Sequence, residues 1–158
     1  MKRILFLFMA VAVCLCGCKT SEKNSESDSA NTTASQNKNS KLTETKWMLT
    51  HLNMQEVNEC PESPYIVFSG DRISGNLGCN TFFGTFYASK KGKIDIEYTG
   101  STKKLCNEMQ VERDFISALK VEKKSYVING NVLIIKGEKI MGDGTKKELE
   151  ILRFKAEE

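Results

Sequence analysis

From Trp47 onward the chain runs in short apolar alternations broken by turn residues, and that pattern leaves room for little besides a small antiparallel β structure. Trp47 to Leu52 reads as a first strand, with Trp47, Leu49 and Leu52 directed at a core. Tyr65 to Phe68 follows Pro64, and Ser69-Gly70-Asp71 turns it into Arg72 to Gly75. Thr81 to Ala88 and Lys93 to Tyr98 flank the turn Ser89 to Gly92. In the second of these, Ile94 and Ile96 alternate with Asp95 and Glu97, as in a strand with one wet face. Ser125 to Ile128 and Val132 to Ile135 surround Asn129-Gly130, a dipeptide that tolerates the positive φ of a tight hairpin. Gly142-Asp143-Gly144 makes a further turn before a last strand, Leu149 to Phe154. About eight short strands in near-sequential hairpins predict a mainly β fold, a small antiparallel barrel or strongly curved sheet.

One helix interrupts the strands. Asn107 is a good N-cap, and Gln110 three residues later can return the bond as a capping box. At 100° per residue Leu105, Met109, Phe115, Ile116 and Leu119 share one arc, so the spacing predicts a helix over about Glu108 to Lys120 packed on the sheet. Glu112 lies within that arc, an unusual place for an acid.

The front of the chain carries an address. Lys2 and Arg3 precede an unbroken apolar run, Ile4 to Cys16, of 13 residues, whereas a bilayer-spanning helix needs about 20. The run has no polar face, so it reads as the core of an export signal over residues 1–17. Leu15-Cys16-Gly17-Cys18 resembles a bacterial lipobox, which predicts that Cys18 becomes the acylated first residue of the mature chain. Each buried acyl methylene adds about 0.8 kcal/mol, so several chains anchor firmly to a membrane. Residues 18–44 hold Ser, Asn, Thr, Lys and Glu, with Leu42 as their one large aliphatic side chain. Such a stretch reads as a tether, because it cannot bury enough apolar surface to offset the entropy of ordering it. One domain over residues 45–158 remains.

Removal of Lys2 and Arg3 with the signal leaves 21 basic against 20 acidic side chains. Without a basic block, nucleic-acid binding has no footing. The single histidine, His51, rules out a His-rich metal site within one chain. Of six cysteines, two lie in the signal and one is the anchor. That leaves Cys60, Cys79 and Cys106, which allow three single bridges with one thiol over.

Three pieces of the folded part resemble the META-domain (HslJ-like) family of bacterial envelope lipoproteins. The first is Gly78-Cys79-Asn80, followed by Gly84-Thr85-Phe86. The second is Thr102, four residues before Cys106. The third is Glu112 with Phe115 and Leu119, and Trp47-Met48-Leu49 also fits the family's start. The match spans roughly residues 45–155, with Gly137 to Lys147 longer than the usual last hairpin. The resemblance implies a barrel-like β domain with one helix and no known reaction. It also implies that Cys79 pairs with Cys106 and that Gly78, Asn80, Gly84, Thr102 and Glu112 are motif positions. Glu112 is expected to hold the helix to the Gly78–Asn80 corner by accepting hydrogen bonds from backbone N–H groups or the Asn80 amide.

The chemical readings of these residues are thin. A zinc set would need Cys60, Cys79, Cys106 and His51 together, without a C-x-x-C pair among them. A Cys79 nucleophile with His51 as base has nothing local to join the two. Gly75, Gly78 and Gly84 do not form a phosphate cradle and mark a bulge or corner instead. Phe82, Phe83, Phe86 and Tyr87 read as core and rim. The expectation is a non-enzymatic envelope lipoprotein without cofactor. It is held at the outer membrane through Cys18, and its domain meets an envelope protein or supports the envelope under stress. A small-ligand-binding barrel is the alternative, distinguished by an empty apolar interior.

Overall fold

The computed structural model describes residues 41–43, 45–57, 60–107 and 109–158. The expected signal, Cys18 and nearly all of the expected tether lie outside them. Nine strands form one antiparallel sheet: β1 Lys46–Leu52, β2 Gln55–Glu56, β3 Tyr65–Ser69, β4 Arg72–Asn76, β5 Thr81–Ala88, β6 Lys93–Ser101, β7 Lys124–Asn129, β8 Val132–Ile140 and β9 Lys146–Ala156. The helix α1, Gln110–Leu119, lies between β6 and β7. The order is β2-β1-β3-β4-β5-β6-β7-β8-β9, and β1 also pairs with β9, so the sheet closes into a ring. Among the strands that close the ring, the seam between β6 and β7 is the thinnest, with two residue pairs, Lys93 opposite Ser125 and Ile94 opposite Lys124.

Alternation puts one face of each strand inside. Ile66 and Phe68 of β3, Ile94 and Ile96 of β6, and Leu133 and Ile135 of β8 are buried while their neighbours face water. Each large side chain taken fully out of water contributes about 1.5–3 kcal/mol. Trp47, Phe68, Phe115 and Phe154 fill the interior, each 0% exposed. Phe115 brings α1 into this core, with its ring 5.8 Å from Phe82 and 6.0 Å from Phe154.

Glycine is required where strands crowd. A Cβ on Gly84 would stand 2.2 Å from the Glu97 carbonyl oxygen, and one on Gly75 would stand 2.0 Å from that of Tyr65. The β5–β6 register shifts between Phe83 and Gly84, so Gly84 sits at a bulge.

Several local expectations are corrected. The additional strand β2 follows a two-residue turn in which both Asn53 (φ 50°) and Met54 (φ 66°) are left-handed, a conformation that methionine gives no reason to expect. The turn between β7 and β8 is Gly130-Asn131, one residue later than Asn129-Gly130, because Asn129 pairs with Val132 and Gly130 takes φ 60°. The last hairpin is long, as Gly137 to Lys147 suggested, but its strands reach further than Val132 to Ile135 and Leu149 to Phe154, since β8 runs to Ile140 and β9 spans Lys146–Ala156.

Met109, not Asn107, precedes α1, and no side chain caps it. Gln110 bonds Asp114 (2.8 Å) and Arg113 (2.8 Å) in place of a capping box. Leu105 stands off the packing arc, 95% exposed. Glu108 lies outside the described residues. Leu42, assigned to the tether, is 1% exposed, and its carbonyl accepts a 3.0 Å bond from the Trp47 indole. The packed domain therefore begins before residue 45.

Candidate functional site

The corner between β4 and β5, residues 77–80, is wholly buried. A buried corner has backbone groups that no strand partner reaches, and these need side-chain partners. Asn76 supplies the first, its Oδ1 accepting from the Gly78 N–H at 2.6 Å in an Asx turn. Gly78 then takes φ 105°, and a Cβ there would meet the Cys60 Sγ at 3.4 Å. The Asn76 amide donates to Glu62 Oε2 at 2.5 Å, and the Glu62 N–H returns a bond to the Gly78 carbonyl at 3.1 Å. The sequence reading missed Asn76 and Glu62 as parts of this corner. The Asn-x-Gly spacing could have signalled the first; nothing local signals the second.

Asn80 is the hub. Its backbone N–H donates to Glu112 Oε2 at 3.1 Å, and its amide donates to both Glu112 oxygens at 3.1 and 3.0 Å. The same amide nitrogen donates to the Lys104 carbonyl at 3.2 Å. Asn80 Oδ1 accepts from the Thr102 hydroxyl and the Lys104 N–H, each at 2.7 Å. Thr102 Oγ1 accepts in turn from the Thr81 N–H at 3.2 Å. Cys79 is joined to Cys106 by a disulfide. Asn80 is 1% exposed and Glu112 6%, yet each is saturated with partners, which is what makes polar burial tolerable.

Gly78, Cys79, Asn80, Thr102, Cys106 and Glu112 thus meet in one knot that joins the β4–β5 corner, the 102–106 loop and α1. Gly84 lies apart, on the barrel wall. The knot is suited to holding and leaves little for chemistry, since its carboxylate and amide face each other. Cys79 and Cys106 are consumed in the bridge, so Cys79 has no thiolate to act as a nucleophile and the set of Cys60, Cys79, Cys106 and His51 cannot bind zinc through four free side chains. His51 lies on β1, its Nδ1 3.1 Å from the Thr50 hydroxyl. Cys60 is a free thiol that burial pushes up from its usual range.

Two grooves of about 580 and 620 Å³ flank the β6–β7 seam and share Asp95, Lys123 and Lys124. Lys124 is 6% exposed, and its ammonium donates to the Val121 carbonyl. Burial lowers its pKa, while Asp95 and Glu122 work in the opposite direction. Both grooves are surface features lined largely by charged side chains.

Residues 40–148 match the family model of the META domain. The chain belongs to the META-domain family. The knot is therefore how this META domain uses its Gly-Cys-Asn corner, its threonine and its helix acid. No curated protein matches the chain. A solved NMR structure is 23% identical, over 73% of this chain and 92% of that one, with a TM-score of 0.52. It establishes likeness of fold alone.

Proposed function

We propose that the protein is a non-enzymatic lipoprotein of the bacterial cell envelope. In this reading it is held at the outer membrane by acyl groups on Cys18, and its META domain acts by binding another envelope protein. The anchoring half rests on sequence: the Lys2-Arg3 start, the 13-residue apolar run and Leu15-Cys16-Gly17-Cys18. The binding half rests on one structural observation. The barrel interior is occupied by the protein's own side chains, with Trp47, Phe68, Phe115 and Phe154 each 0% exposed. A small barrel holds an apolar ligand only where side chains leave it room. A filled barrel offers its surface rather than an enclosed apolar cavity, which supports a macromolecular partner over a ligand held inside.

Mass spectrometry of the mature N-terminal peptide is expected to find diacylglycerol mass on Cys18, and Cys18→Ala should move the protein out of the membrane fraction. An unmodified N-terminus, or cleavage elsewhere, defeats the anchoring. Crosslinking in intact cells, with mass spectrometry of the adducts, tests the binding. Native mass spectrometry that finds a small apolar molecule retained by the purified domain would favour the ligand-binding barrel instead.

A further inference from the structure

The loop Thr102 to Cys106 combines two properties that seldom occur together. It is fastened along its length: Thr102 to Asn80 and Thr81, Lys104 through both backbone N–H and C=O to the Asn80 amide, and Cys106 to Cys79. Between those fastenings it holds Leu105 out into water, 95% exposed. A floppy loop with an exposed leucine is unremarkable, because it can fold the side chain away. This loop cannot, since the residues on both sides of Leu105 are pinned. Lys103 and Lys104 beside it are exposed as well, Lys104 in a loose, exposed ion pair with Glu62 (3.8 Å) that a partner carboxylate would have to share.

The loop's place in the barrel adds direction. Successive wall strands are antiparallel, so the connections alternate between two ends. The chain enters β1 at one end. The β1–β2 turn, the β4–β5 corner, the segment from β6 to α1 and the β8–β9 hairpin lie at the other. Among the described residues, four of the six large exposed apolar side chains, Met54, Leu105, Ile140 and Met141, sit on or at the edge of those distal connections. This end lies opposite the one at which the chain enters β1, so it is clear of the point where the expected tether joins the domain.

We propose that the 102–106 loop is a docking element that places Leu105 in an apolar pocket of a partner protein, with carboxylates on the pocket rim to meet Lys103 and Lys104. This rests on the reading of the domain as a protein-binding module and names the surface and the chemistry of what it binds. An anchor already ordered in the free protein loses little further freedom on binding, which favours affinity. The flanking lysines add steering and register toward an acidic surface.

The test uses the full-length lipoprotein in cells, with a benzophenone amino acid in place of Leu105 or, at the opposite end, of Tyr87. The expected result is a Leu105-site adduct to one protein, at a peptide flanked by Asp or Glu. With that protein purified, Leu105→Ala should weaken binding tenfold or more. Lys103→Glu should weaken it several-fold and flatten its salt dependence, and Tyr87→Ala should leave it unchanged. Adducts to lipid, or to a second copy of this chain, overturn the proposal, as does binding by Leu105→Ala within twofold of the parent. A protein adduct from Tyr87 alone would defeat the loop assignment while leaving the protein-binding reading intact. No protein adduct from either site defeats both.

Discussion

Replacing Glu112 probes the knot directly. Its carboxylate is 6% exposed and takes three donor contacts from Asn80, one from the backbone N–H and two from the amide nitrogen. Glu112→Ala removes all three. The Asn80 amide keeps the Lys104 carbonyl as one acceptor, but the buried backbone N–H is left without a partner. An orphaned buried donor costs about 1–3 kcal/mol, and hydrogen bonds to a charged group are worth about 1.5–3. These overlap, so a loss of roughly 2–3 kcal/mol is expected. Glu112→Gln keeps a carbonyl acceptor for one Asn80 donor and presents its own NH2 to the other, so about 1–2 kcal/mol should be lost. Urea denaturation with the disulfide intact measures both, and the slope with denaturant should stay constant if the folded and unfolded states are otherwise unchanged. A cycle with Asn80→Ala should show coupling of at least about 1 kcal/mol, because the two side chains act as one unit. If both Glu112 variants fall within about 0.5 kcal/mol of the parent, as at an indifferent surface site, the carboxylate is not an anchor and the reasoning fails.

Three further outcomes follow from the packing. The 79–106 bridge closes a loop of sequence separation 27, so Cys79→Ala/Cys106→Ala should cost about 3.5 kcal/mol in the chain-entropy model; non-reducing peptide maps that find Cys60 bridged would contradict the pairing itself. Gly84→Ala drives a Cβ to 2.2 Å from the Glu97 carbonyl oxygen and should lose about 2 kcal/mol or more, whereas Gly142→Ala, with nothing within 4 Å, should leave the thermal midpoint unmoved. Leu42→Ala should cost about 2–4 kcal/mol, measured by the same urea titration; an unchanged midpoint would return Leu42 to the tether.

Much of the wall was legible in the sequence, because a strand's inward face and a hairpin's turn are decided by residues within a few positions of one another. Ile94 and Ile96 against Asp95 and Glu97, or Gly142-Asp143-Gly144 at a hairpin tip, carry their own instructions. The motif residues of the knot were legible too, though only through resemblance. Nothing about Thr102 or Asn80 taken singly says that they bond.

The tertiary structure decided the rest, and for one physical reason: the deciding partners are distant in sequence. Leu105 fits a helical arc by spacing, yet Asn80 and the bridge to Cys79 hold its segment off the helix and leave it 95% exposed. The same restraint strips Asn107 of its capping role, so α1 begins at Gln110. Leu42 reads as a lone apolar residue in a polar tether until Trp47 and the barrel end supply a place to bury it. Glu112 could be flagged as an acid on an apolar face, but only closure of the barrel brought Asn80, 32 residues away, to receive it. Local chemistry determined which elements form. Ring closure, a disulfide and one asparagine determined which side chains the finished domain hides and which it offers.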